Sequence, residues 1–252
     1  MNPRYFLLFL SIFFVSVSSA KSEDLQFFEL RTYYTNPGKL EALHARFRDH
    51  TVGLFEKHGM ANIAYWVPKE NEKQVLIYLL GYPSKEAREQ AWKDFRADPE
   101  WTEAKAASEE EGPLVAKVDS LFLEMTDYSP SLPFPESDKE RVFEMRRYTT
   151  NEEKLDDLDA RFRDHTVELF TKHGVTNLIY FHLVDGQKDS ANTLLYFIAA
   201  NSEEARNSSF KTFSQDPKWK SAREASEKDG KLLVKKGIAS TFLIPTDYSP
   251  VK

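Results

Sequence analysis

The sequence predicts an α+β fold. Two tandem ferredoxin-like units (β-α-β-β-α-β) pack sheet to sheet and close a barrel within one chain. Three observations carry this expectation. The chain is written twice, each copy alternates strand-period and helix-period segments, and the polar residues of the first strand recur at the same parity in both copies.

The repeat is plain once the copies are aligned. Phe28-Glu29-Leu30-Arg31-Thr32-Tyr33 returns as Phe143-Glu144-Met145-Arg146-Arg147-Tyr148, and Ala45 to Val52 returns unchanged as Ala160 to Val167. Lys57-His58-Gly59 matches Lys172-His173-Gly174, and Asp98-Pro99 with Trp101 matches Asp216-Pro217 with Trp219. Thr126-Asp127-Tyr128-Ser129-Pro130 recurs as Thr246 to Pro250. The offset grows from 115 to 118 to 120, so the insertions fall in loops. Two domains follow, 25–128 and 141–248, joined by a proline-rich linker at 129–140.

Within a copy, residues 27–34 alternate Glu29 and Arg31 against Phe28 and Leu30 among aromatic and β-branched neighbours, as a strand does. Asn36-Pro37 is expected to open a helix, with Asn as N-cap and Pro in the first turn. Leu40, Leu43, Phe47, Thr51, Leu54 and His58 share one face of it, and Gly59 ends it. Residues 61–67 and 74–82 read as two strands around a charged loop. Ser84 caps a helix with Ala87, Ala91 and Phe95 inward, Asp98-Pro99 opens a shorter helical piece to Glu111, and residues 115–125 close the unit as a strand.

Such a unit is a four-stranded antiparallel sheet with both helices on one face, so its bare face is expected to meet that of the other copy. With Phe28 and Leu30 on the helices, Glu29, Arg31 and Tyr33 would point into the barrel. Glu144, Arg146 and Tyr148 would do the same, opposite Phe143 and Met145. The expected interior is a polar cavity or a set of paired charges.

Composition sets exclusions. The 252 residues carry a net charge of −6, no cysteine and 13% aromatics. The aromatic share excludes a disordered chain, and an acidic balance without a basic stripe excludes nucleic acid as the main partner. Zero cysteines exclude disulfides, thiolate metal sites and thiol nucleophiles. Residues 1–20 read as a secretory signal peptide: Arg4 is the only charge before Lys21, an apolar run follows it, and Ser18-Ser19-Ala20 supplies small residues for cleavage. The chain is therefore expected to be exported, periplasmic or secreted, with no stable membrane span after signal removal.

The block from Phe28 to Tyr33, through Arg46-Phe47-Arg48-Asp49-His50-Thr51 to His58-Gly59, resembles the NIPSNAP family, as does Asp98-Pro99-Glu100-Trp101. Both copies carry it. The resemblance implies the dimeric α+β barrel fold, formed here within one chain. It implies no single activity: eukaryotic members are associated with mitochondria and vesicle traffic, and barrel relatives include cofactor-free monooxygenases and haem proteins. The signal peptide sets this chain apart from the mitochondrial members.

Candidate ligand-binding residues are Arg31, Tyr33, His50 and Tyr65, with Arg146, Tyr148, His165, Tyr180 and His182 in the second copy. The arginines suit an anionic small molecule, or a cross-strand pair with Glu144 or Glu29. The tyrosines offer phenol donors or stack in the core, the commoner fate. His50 and His165 flank the apolar stripe and suit a general base or ligand contact, or a hydrogen bond at the helix–sheet boundary. His58 and His173 read as caps of the last helical turn. His182 stands where the first copy has Val67, Asp159 replaces His44 and Phe181 replaces Trp66, so an asymmetric site is expected to involve His182.

No metal and no cofactor is expected. HExxH, P-loop, GxGxxG and GxSxG motifs are absent, and His50 and His58 stand about 12 Å apart along a helix. A small-molecule-binding barrel is the leading expectation. A cofactor-free oxygenase or isomerase on a small carbonyl or aromatic compound, and a protein-interaction scaffold, are the alternatives. Oligomerisation fits any of the three.

Overall fold

Strands β1 (Phe27–Thr35), β2 (Ala61–Pro68), β3 (Val75–Tyr82) and β4 (Val115–Met125) form the first half. Strands β5 (Val142–Thr150), β6 (Thr176–Leu183), β7 (Thr193–Ala200) and β8 (Leu233–Pro245) form the second. The computed structural model describes residues 25–252, so the segment read as a signal peptide lies outside the described residues. The strands close an antiparallel barrel in the order β1-β3-β2-β8-β5-β7-β6-β4. The halves join along two short seams. Trp66, Val67 and Pro68 pair with Pro245, Ile244 and Leu243, and Leu123, Glu124 and Met125 pair with Leu183, His182 and Phe181.

The helices cover the outside of the sheet. The first half carries α1 (Leu40–Arg46), a π-helical turn (Phe47–Thr51), α2 (Val52–Lys57), α3 (Lys85–Ala97) and α4 (Pro99–Ser108). The second carries α5 (Leu155–Arg161), a π turn (Phe162–Thr166), α6 (Val167–Lys172), α7 (Glu203–Gln215) and α8 (Pro217–Ser226). The caps read from sequence are made: Ser84 Oγ accepts from the Ala87 amide at 3.2 Å and Asp98 Oδ1 from the Glu100 amide at 2.9 Å. Ser202 and Asp216 cap α7 and α8 in the same way.

Two local readings are corrected. Asn36 does not cap a helix. Its side-chain amide crosses to the Pro113 carbonyl at 2.6 Å and its backbone amide to Leu114, so the chain is tied to the entry of β4 and the helix waits until Leu40. The helical run also contains an extra residue. Thr51 Oγ1 reaches back to the Arg46 carbonyl at 3.1 Å, and Thr166 to Arg161 at 3.0 Å, across the π turns. A single 3.6-residue period hides such an insertion, which turns both Leu54 and Phe55 into the core.

The larger correction concerns parity. The barrel lumen is apolar and filled: Phe28, Leu30, Ile77 and Leu79 meet Phe143, Phe181, Phe197 and Leu243 from the other half. Phe28 packs on Phe181 with ring centroids 5.1 Å apart, and Trp66 stacks on Phe197 at 5.0 Å. Glu29, Arg31 and Tyr33, with Glu144, Arg146 and Tyr148, point outward beneath the helices. The physical reason is charge: only the helix side brings a cation, Arg88 or Arg206, to the carboxylate, and an unpaired carboxylate in the lumen would be far costlier. The linker is part of the core too, since Leu132 and Phe134 are buried against the lumen residues.

Each half ends in a hook that grips the other. Thr126 donates its amide to the Tyr180 carbonyl at 3.0 Å, and Ser129 Oγ accepts from the Tyr180 amide at 3.0 Å. Asp127 takes Arg163 in a fork at 2.8 and 2.6 Å. In return, Thr246 and Ser249 bracket Tyr65, and Asp247 takes Arg48 at 2.5 and 2.9 Å. The repeated Thr-Asp-Tyr-Ser-Pro motif and the second arginine of the repeated Arg-Phe-Arg-Asp-His-Thr motif thus meet across the halves.

A filled lumen makes a clear prediction. Phe197→Ala removes the stacking partner of Trp66 and is expected to cost about 3–5 kcal/mol of stability, measured by urea unfolding. A loss below about 1 kcal/mol would mean that the lumen is loosely packed.

Candidate functional site

Three groupings collect the residues singled out in the sequence. The first is a polar cluster between sheet and helices. Glu29 is fully buried and accepts from Arg88 Nε and Nη2, both at 2.9 Å, from Trp92 Nε1 at 3.0 Å, and from Arg31. Arg31 also donates to Tyr78 at 2.9 Å, Ser120 at 3.2 Å and Tyr33 at 3.3 Å. The second half repeats this with Glu144, Arg146, Tyr148, Tyr196 and Arg206, and Ser240 replaces Trp92 as a donor to the carboxylate.

Burial pushes the Glu29 and Glu144 carboxyls upward. Hydrogen bonds and charge from the arginines outweigh it and hold both below the ordinary glutamate range. The clusters are spent on their own partners. Tyr65 and Tyr180 lie in the same layers, fully buried, stacked on Tyr78 and Tyr196 at 5.5 and 5.0 Å and donating to Asn62 and Asn177.

The second grouping sits where the hooks land. In the first half, His44 Nδ1 lies 2.8 Å from the Tyr248 hydroxyl. In the second, the Tyr128 hydroxyl donates to Asp159 Oδ1 at 2.6 Å, and His182 Nε2 lies 2.9 Å from Asp159 Oδ2. That last contact is a charge contact, off the line of a well-formed hydrogen bond. His182 therefore does enter an asymmetric arrangement, with Asp159. The contact with Asp159 raises the His182 pKa against the effect of burial, whereas burial lowers that of His44.

The third grouping surrounds the π turns. Every residue from Arg46 to Thr51 except two has a structural task. Arg46 pairs with Glu109, Phe47 fills the core, Arg48 pairs with Asp247 and Thr51 bonds the backbone. Asp49 and His50 are exposed and take no partner among the described residues, and Asp164 and His165 repeat this. Each pair lines a groove. Asp49 and His50 face Ala104 and Ala107 of α4 across about 520 Å³, and Asp164 and His165 face Ala222 and Ala225 of α8 across about 240 Å³. His58 and His173 stand at the ends of α2 and α6, and their rings lie 2.7 and 2.8 Å from the carboxylates of Asp98 and Asp216, which cap the starts of α4 and α8. Lys57 and His58 hold the Asp98 carboxyl down to about 2.

The residues missed from sequence are Tyr78, Arg88, Trp92 and their counterparts, and the hook tyrosines Tyr128 and Tyr248. Arg88 and Arg206 recur at the 118-residue offset of their neighbours, a signal that was present.

A duplicated α+β unit closed into one eight-stranded barrel is the class that the fold defines. The NIPSNAP family model matches residues 28–130 and again 143–250, most of the chain, and the chain belongs to that family. It is similar in fold to a Fusobacterium nucleatum protein proposed to be a monooxygenase, at TM-score 0.57 and 11% identity, covering 88% of this chain and 92% of that one. It is also similar to an anthrone oxidase-like protein, at TM-score 0.55 and 10% identity, covering 90% and 94%. A NIPSNAP-like domain protein from Burkholderia xenovorans covers 44% of this chain and 93% of its own at 22% identity and TM-score 0.39. No curated protein matches the sequence.

Two predictions follow from the geometry. Glu144→Gln strips the charge that Arg146 and Arg206 share, and is expected to cost about 3–5 kcal/mol in denaturant unfolding, as breaking a buried pair does. The hooks should titrate in opposite senses. His182, raised in the folded state, contributes below its unfolded pKa near 6.5 and loses that contribution as pH rises through its folded value. His44, lowered, contributes above its unfolded pKa and loses it on acidification. His182→Val should therefore cost more at pH 6 than at pH 9, by less than about 1 kcal/mol after solvent screening, and His44→Phe should show the reverse. Parallel pH profiles of the variants and the wild type would refute the assignment.

Proposed function

We propose that the protein is an exported small-molecule-binding barrel whose ligand sites are the two external grooves beside the π turns. One observation carries the reading: Asp49-His50 and Asp164-His165 are identical in both copies, exposed, unused by the fold, and each lines a groove against the paired alanines of the neighbouring helix, Ala104 and Ala107 or Ala222 and Ala225. A π turn presents side chains off the regular helical spacing, and such turns recur at functional sites. An imidazole beside a carboxylate there offers a ring nitrogen for one hydrogen bond to a ligand. Export rests on the charge and apolar pattern of residues 1–20.

The oxygenase alternative draws on the names of two proteins at 11% and 10% identity, a likeness that supports the fold alone. The scaffold alternative finds little support, because the exposed large hydrophobics among the described residues are Val118, Ile238 and Ile244, single side chains on the barrel strands.

The test is a small-molecule screen read by ligand-induced thermal shift on the mature chain. Hits are expected to bind about three- to tenfold more weakly to His50→Ala or His165→Ala, the worth of one hydrogen bond, with the unliganded melting temperature unchanged. Hits that ignore both substitutions would place the site elsewhere.

A further inference from the structure

Resting on that reading, the two grooves differ in the charge they present. Arg161, at the end of α5, is 5% exposed and lines the second groove. Its guanidinium lies 5.2 Å from the Trp219 ring centroid, and Nη1 reaches Ser226 Oγ and Glu227 Oε1 only at 3.3 Å. Nε is buried with no partner among the described residues. Glu227 is in turn drawn away, with Lys231 at 2.7 Å and Arg223 at 3.5 Å, so one carboxylate answers three cations. Burial pushes the Arg161 pKa below its usual range, and Glu227 offsets only part of that.

The first groove is different. Arg46, the counterpart of Arg161, does not line it; Arg46 shares the buried, unpartnered Nε but holds Glu109 at 2.9 Å, and Glu109 otherwise meets only Lys105 at 4.0 Å. The first groove is lined by Asp49, Glu100 and Glu103 against Lys57 alone, with no arginine in its wall. At the second rim, Lys154 ties up Asp157 at 2.8 Å and Lys228 stands 3.8 Å from Asp229.

We propose that the groove beside Arg161 binds a compact monocarboxylate, and that the groove beside His50 does not. An under-compensated guanidinium whose Nη2 takes no partner among the described residues is the group that takes a carboxylate in a charge-assisted pair. A volume of about 240 Å³ falls below that of drug-sized pockets and limits the ligand to a small acid. Asp164, unpaired at the rim, repels a dianion and favours a single charge.

The test uses the mature chain labelled at its histidines, titrated with sodium acetate against sodium chloride at equal ionic strength. Acetate is expected to give a saturable shift of the His165 ring resonances and none at His50. Arg161→Lys should abolish saturation. Lys228→Glu, an exposed change that leaves the fold alone, should weaken acetate binding about two- to fivefold. Equal shifts at both histidines, equal effects of chloride, or an unaffected Lys228→Glu would overturn the proposal. Neutral hits that move His165 while acetate does not would remove the carboxylate and leave the groove reading standing. Silence of both histidines to every ligand would remove both.

Discussion

Each half presents an apolar sheet face that only the other half covers, and burial of those two faces against each other governs the rest of the structure. Phe28, Trp66, Phe143, Phe181 and Phe197 interleave in the lumen, where aromatic burial supplies the stabilisation that a cysteine-free chain cannot take from disulfides. The strand seams between halves are short, so the lumen and the hooks hold the barrel shut. Once the lumen is apolar, the charged residues of β1 and β5 have one place left, beneath the helices. There Arg88, Trp92 and Arg206 complete their hydrogen bonds.

That ordering explains what was legible in the sequence. The element order, the Ser84 and Asp98 caps and the closure of two copies into one barrel follow from periodicity, cap chemistry and the repeat. The side on which Glu29 and Arg31 lie did not follow, because both faces of β1 are buried and strict alternation is silent about which face is which. Arg88 decided it, four residues after a helix cap and far from β1 in sequence. The π turns were hidden because Thr51 suits either a regular or a widened helix, and only its bond to the Arg46 carbonyl shows which was formed.

The candidate site was legible in part. His50 and His165 were visible as residues at the edge of an apolar stripe, but their standing comes from subtraction. Arg48, Phe47 and Thr51, equally well repeated, turn out to serve the hooks, the core and the π turn. The repeated Thr-Asp-Tyr-Ser-Pro motif is spent on contacts between the halves. Repetition within a chain therefore reports constraint of any kind, and the contacts decide whether that constraint is folding or chemistry.

The exchanged hooks have a further consequence. Because each tail is anchored on the opposite half, the two halves are obligate partners joined by a short peptide, and their local concentration never depends on how much protein is made. Like halves never compete with unlike ones for assembly. One half is then free to change its hook from His44–Tyr248 to Tyr128–Asp159–His182, and its groove from acidic to balanced charge, without any sorting problem to solve. Covalent tethering makes this barrel a heterodimer by construction, and a single gene carries the licence for its two faces to specialise.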